Sequence, residues 1–171
     1  MSISNVYSNL NKLETTNIAK KISATIQKGD IILLHGNIGA GKTFFVNKLC
    51  SYLNVKSVVN SPSYVLLNEY VGQKTPPCPP QRGGGVVSPQ RGGGSGTNES
   101  ENDTFSIYHY DLYRLKTADD AIELGILDRL NDGVTIIEWP ELIKNYLPKK
   151  RIEIFFEHNK NLRNIIVEDS K

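Results

Sequence analysis

The spacing of apolar residues along this chain changes period several times, and each change marks a switch between strand and helix. Ile31-Ile32-Leu33-Leu34, between Asp30 and His35, is a short β-branched-rich run without polar alternation, as in a strand buried on both faces. Downstream, Phe45, Val46, Leu49 and Leu53 fall at helical spacing and predict a helix opening at Lys42. A first helix is expected from near Glu14 to Ile26, stopped by Lys28-Gly29-Asp30. Val65 to Tyr70 and Phe105 to Tyr110 read as strands joined by a turn. Thr117 is expected to open a helix with Ala121, Leu124, Leu127 and Leu130 inward, ended by Asp132-Gly133. Val134 to Ile137 reads as a second buried strand. Arg151 to Glu157 and Leu162 to Glu168 read as a closing hairpin around His158-Asn159-Lys160-Asn161. This alternation predicts an α/β fold, a central mostly parallel sheet with antiparallel additions, flanked by helices.

One segment breaks the pattern. Thr75 to Asp103 holds seven of the fourteen glycines and five of the eight prolines, and Pro80-Gln81-Arg82-Gly83-Gly84-Gly85 recurs as Pro89-Gln90-Arg91-Gly92-Gly93-Gly94. Such a composition cannot bury apolar surface, so a disordered surface loop is expected at about 75–103, inserted into one domain spanning 1–171. It reads either as a Pro/Arg-rich docking tail or, the reading favoured here, as a translated repetitive element tolerated because lengthening a surface loop costs little entropy.

Net charge is +2, from 20 basic and 18 acidic residues, too balanced for a broad nucleic-acid footprint. Contact with RNA is therefore expected to be local or made by a partner. The N-terminus, Met1 to Tyr7, lacks an apolar leader core and no stretch has the length of a membrane span, so a cytoplasmic protein without membrane contact is expected. Cys50 and Cys78 have no paired spacing, and neither a disulfide nor a zinc site is expected.

Between the first buried strand and its helix lies Gly36-Asn37-Ile38-Gly39-Ala40-Gly41-Lys42-Thr43, which matches G-x-x-x-x-G-K-[ST] with the correct element on each side. Such a loop wraps its amides around phosphate oxygens, Lys42 reaching the β- and γ-phosphates and Thr43 a Mg²⁺ ion. The fold expected is that of P-loop NTPases. Asn37, Ile38, Gly39, Ala40, Gly41, Lys42, Thr43 and Phe44 are the candidate nucleotide-binding residues. Three further segments offer acids or hydroxyls: Ser61-Pro62-Ser63-Tyr64, His109-Tyr110-Asp111-Leu112-Tyr113-Arg114-Leu115, and Ile136-Ile137-Glu138-Trp139-Pro140-Glu141. The last ends an apolar strand in an acid, as a Walker-B strand does, with Glu in place of the usual Asp. On residue type alone, Asp111 could equally cap a turn and Glu138 could be a strand-end charge. Trp139 and His109 read first as packing residues, although His109 would share a strand face with Asp111, which permits a role in orienting that acid, and Arg114 reads as a solvated side chain or an anion contact.

Taken in order, Glu14-Thr15, Leu34 to Thr43, Ser61 to Tyr64, His109 to Arg114 and Ile137-Glu138-Trp139 resemble the bacterial TsaE family of ATPases in tRNA threonylcarbamoyladenosine biosynthesis. The resemblance covers nearly the whole chain outside Thr75 to Asp103. It implies a Mg²⁺-dependent ATPase, slow alone, stimulated by two partner proteins that carry the threonylcarbamoyl-transferase activity, with tRNA engaged only through them. Thr43, Asp111 and Glu138 would make or order the Mg²⁺ shell, with Lys42, Asp111 and Glu138 as the catalytic set. Thr15 would lie near the nucleotide base, and Ser61 to Tyr64 would form a switch-like segment. Ser63 stands where the family usually has Thr. The competing readings are an ATP-dependent assembly switch for the same complex and a small-molecule kinase, which would need an arginine-bearing lid.

Overall fold

The computed structural model describes residues 3–74, 104–160 and 162–170. The insertion expected at about 75–103, with its repeat and Cys78, lies outside the described residues. In chain order the elements are β1 (Ile3–Leu10), α1 (Lys12–Thr25), β2 (Ile31–His35), α2 (Lys42–Tyr52), β3 (Leu67–Gln73), β4 (Thr104–Asp111), α3 (Ala118–Glu123), β5 (Gly133–Glu138), β6 (Ile152–Asn159) and β7 (Leu162–Asp169). Short 3₁₀ turns at Pro140–Leu142 and Lys144–Tyr146 lead from β5 towards β6. The strands form one sheet in the order β1-β7-β6-β2-β5-β4-β3. β6, β2, β5 and β4 run parallel; β3 at one edge and β7 near the other run against them, and β1 pairs antiparallel with β7 and so runs with the core strands. This is the α/β P-loop architecture expected from the sequence.

The alternation of side chains along β2 divides the core into two layers. Ile32 and Leu34 join Val134, Ile136, Ile107 and Ile154 under α1 and α2, which contribute Ile18, Ile22, Phe45, Val46 and Leu49. Ile31 and Leu33 face the other way, against Tyr108, Tyr110, Ile137, Ala121, Ile126, Leu130, Ile143 and Leu147. Cys50 lies in the first layer, where burial pushes its thiol up to about 12, so it packs as a small apolar residue.

α1 begins at a capping box. The Asn11 side chain accepts the Glu14 N–H at 3.0 Å, and the Glu14 carboxylate accepts the Asn11 N–H at 2.8 Å, so two otherwise orphaned donors are satisfied reciprocally.

One strand is additional to those expected, and two expectations about elements need correction. β1 has no counterpart in the sequence reading, since seven of its eight residues are exposed or half-buried and its apolar positions do not alternate cleanly. The helix expected from Thr117 to Leu130 stops at Glu123, because Gly125 takes a left-handed conformation (φ 72°) and the chain continues in turns. Ile126 and Leu130 still reach the core from those turns, whereas Leu124 and Leu127 are only partly buried. β3 begins at Leu67 rather than Val65, because Leu66 is left-handed (φ 66°) and its N–H is donated to the Pro62 carbonyl at 2.6 Å.

Candidate functional site

β4 and β5 pair in parallel with Asp111 beside Glu138, and Glu138 pairs on its other side with Leu34, the penultimate residue of β2. Strand parity puts Glu138 on the face of Ile136 and Val134, and Asp111 and His109 on the face of Ile107, all beneath α2. Two carboxylates thus meet at the C-terminal edge of the parallel strands, where ligands bind in open α/β sheets.

The loop from Gly36 to Thr43 closes over this edge. Gly36 (φ 134°) passes so close to β6 that a Cβ would collide with the Phe156 carbonyl oxygen, and Gly41 (φ 105°) would place one 2.6 Å from Arg163 Nη1. Only glycine fits either position. Gly41 is also the N-cap of α2 and brings no side-chain cap, which leaves the first helical N–H groups for an anion.

A cavity of about 470 Å³ opens here, lined by Ile38, Gly39, Gly41, Lys42, Thr43, Phe44, Ser61, Ser63, Tyr64, Asp111, Tyr113, Arg114, Glu138 and Trp139. The Thr43 hydroxyl donates to Glu138, with Oε1 at 3.0 Å and Oε2 at 3.3 Å. Asp111 Oδ2 accepts from Ser61 (3.0 Å) and Ser63 (2.5 Å), and its Oδ1 accepts the Tyr113 N–H at 3.2 Å. Lys42 is buried and donates to the Gly36 and Asn37 carbonyls at 2.5 and 3.2 Å, with its ammonium 4.0 Å from the centroid of the Trp139 ring. Burial pulls the Lys42 ammonium below its ordinary value, and attraction from Glu138, Asp111 and Glu141 offsets part of that.

A family model described as threonylcarbamoyl adenosine biosynthesis protein TsaE matches residues 10–78 and 97–165. The chain belongs to the TsaE family. It is 35% identical over 159 residues to the tRNA threonylcarbamoyladenosine biosynthesis protein TsaE of Rickettsia bellii, covering 91% of this chain and 90% of that protein. The protein of the same name from Bacillus subtilis is 29% identical over 146 residues, 85% of this chain and 72% of the relative. Among solved structures, the crystal structure of YdiB from Bacillus subtilis superposes with a TM-score of 0.64 at 24% identity, covering 100% of this chain and 88% of that one, a likeness of fold.

Of the positions singled out by the phosphate-loop motif and by the TsaE resemblance, the structure brings Ile38, Gly39, Gly41, Lys42, Thr43, Phe44, Asp111 and Glu138 to one cavity. It does not bring Thr15 to that wall. Thr15 is fully buried in α1, and its hydroxyl donates to the Asn11 carbonyl at 2.8 Å. Asn37 borders a separate groove with His35 and Phe155, and Ala40 is buried in the core.

Other contacts of this TsaE-family site escape sequence reasoning. Trp139, read as packing, presents its face to Lys42 and lies 5.0 Å from the Tyr113 ring. Arg114 stacks on Tyr64 at 4.2 Å, and both side chains line the cavity. His109 shares the face of Asp111 as strand parity requires, yet the carboxylate it touches is Glu138. Behind the loop, Arg163 is buried against Phe44, and its Nε and Nη1 find no hydrogen-bond partner among the described residues. Position in the motifs could have pointed to Tyr113 and Trp139; nothing local points to Arg163, which β7 delivers from the far end of the chain.

Proposed function

We propose that this chain is a Mg²⁺-dependent cytoplasmic ATPase that supports the threonylcarbamoyladenosine modification of tRNA next to the anticodon, slow alone and stimulated by a two-protein threonylcarbamoyl-transferase complex. The observation that carries this reading is the convergence of the phosphate loop, Lys42, Thr43 and two carboxylates, Asp111 and Glu138, on one cavity. Family membership supports a place in the modification machinery. The balanced charge, +2 overall, supports a tRNA contact made by the partners. Among the described residues, no helix is long and apolar enough to cross a membrane.

The donor set fits Mg²⁺ bound with a nucleotide. Among the described residues no three His, Cys, Asp or Glu side chains gather into a cluster that could hold an ion without other ligands. Two carboxylates and a threonine hydroxyl suffice for Mg²⁺, which ordinarily takes one or two carboxylates together with substrate phosphates and water. Thr43, Asp111 and Glu138 would hold the ion or order its water shell, and Mg²⁺ there would neutralise charge on the β- and γ-phosphates. Lys42 and the loop amides would supply the remaining positive field for a triphosphate, and Glu138 would order an attacking water, through the metal or directly. Hydrolysis of this kind needs positioning and charge neutralisation more than covalent chemistry.

A second reading, an assembly switch in which bound ATP controls docking and hydrolysis resets it, is favoured by one contact. Ser61 and Ser63 are both tied to Asp111, so the 61–64 segment is coupled to the very acid that would respond to the γ-phosphate. Asp111→Ala and Glu138→Ala test the site directly. Each should lose ATP hydrolysis by about tenfold or more while nucleotide affinity changes far less. Unchanged hydrolysis in both variants would place the metal shell elsewhere.

A further inference from the structure

We propose that His109 is a positioning residue that fixes the Glu138 carboxylate by donating its Nε2–H to Oε1. The two atoms lie 3.0 Å apart, and the imidazole is fully buried on the α2 face of β4, at the register position paired with Ile136. On this face of β4 the inward position before it holds Ile107, so an apolar side chain would satisfy packing at 109 as well. A buried imidazole instead carries a desolvation cost that only a polar partner offsets. That partner is the acid already bonded to Thr43.

The tautomer follows from the surroundings. His109 Nδ1 is buried with no hydrogen-bond partner among the described residues. A proton on Nδ1 would leave that donor orphaned and point the Nε2 lone pair at a carboxylate, so the Nε2–H form is the one the site stabilises. Oε1 then accepts from both His109 and Thr43 at 3.0 Å, whereas among the described residues Oε2 has only the longer 3.3 Å contact with Thr43. The carboxylate is held in one rotation, with Oε2 the oxygen more available to a ligand. Outer hydrogen bonds of this kind typically change metal affinity or activity by about 10–100-fold when removed.

This inference rests on the ATPase reading above. His109→Leu keeps volume and removes the donor, while His109→Gln returns an N–H at similar reach. The expected result is a kcat for ATP hydrolysis lower by about tenfold or more in His109→Leu, with a raised Mg²⁺ requirement and little change in KM for ATP, and recovery of most of both in His109→Gln. Wild-type kinetics in His109→Leu, or no rescue by His109→Gln, would overturn it. Should His109→Leu fail to fold, His109→Gln against the shorter His109→Asn makes the same comparison. Independently of activity, ¹⁵N NMR of histidine-labelled wild-type protein should show His109 protonated on Nε2 and bare on Nδ1, and the opposite tautomer would contradict the proposal. Wild-type protein that hydrolyses no ATP, with or without partners, sinks the ATPase reading and this one together; an active wild type indifferent to His109 sinks this one alone.

Discussion

Lys42 carries a charge in a place that disfavours it. Burial lowers its affinity for a proton, two backbone carbonyls and the Trp139 face hold it, and the acids Glu138, Asp111 and Glu141 only partly offset the desolvation. On the proposed function a triphosphate would deliver the compensating negative charge, and each hydrogen bond from the ammonium to a phosphate oxygen would contribute about 1.5–3 kcal/mol. Lys42→Ala should therefore weaken nucleotide binding by about tenfold or more, read by calorimetric titration, while the thermal midpoint stays within a few degrees of wild type. Wild-type affinity in this variant would remove the phosphate-loop assignment. At this scale the motif was legible in the sequence, because glycine positions and the Lys-Thr pair are dictated by local backbone and ligand chemistry. The contacts of His109 with Glu138, and of Lys42 with Trp139, were not. They depend on the β4–β5 register and on the turn after β5, which no local spacing encodes.

Between β2 and β6 a second polar cluster ties elements together on the opposite face from α1 and α2. His35, at the end of β2, lies 3.1 Å from Glu141 on the 3₁₀ turn and 3.0 Å from Glu153 on β6, while its ring stacks on Phe155. Glu153 also pairs with Lys144 at 2.8 Å and with Arg151 at 2.9 Å. Burial opposes ionisation of Glu153, but hydrogen bonds from Lys144 and Arg151 outweigh it and hold the carboxyl below its ordinary 4.5. The hydrogen bond to His35 does the same for Glu141. A carboxyl with a depressed folded value contributes stability that is fully present above its unfolded value and is lost as pH falls through the folded one. The thermal midpoint should accordingly fall as pH drops below about 4.5, and Glu153→Gln should flatten that slope; an equal slope in the variant would remove Glu153 from the account. The element scale also shows why reading was uneven. β2 and α2 were legible since each carries a full apolar pattern, but β1 exists because β7 offers it an edge, and α3 is cut short by the single Gly125.

For the molecule as a whole, the sheet order brings residues from four separated segments to one cavity, so the site exists only once the parallel core has formed. Replacing the 75–103 insertion by a short turn between β3 and β4 should leave ATP hydrolysis intact and stability equal or slightly higher. Loss of folding, or of partner docking alone, would show that the segment has acquired a role. Dependence on partners is proposed at the same scale, since a net charge of +2 is too balanced for a broad nucleic-acid footprint. Phosphate release from ATP, followed with and without Mg²⁺ for wild type and Glu138→Gln, each alone and with the threonylcarbamoyl-transferase complex, is the decisive measurement. Slow, Mg²⁺-dependent release by wild type, accelerated by the complex and lost in Glu138→Gln, is the predicted result. No Mg²⁺-dependent release by wild type under either condition, or full release by Glu138→Gln, would contradict it.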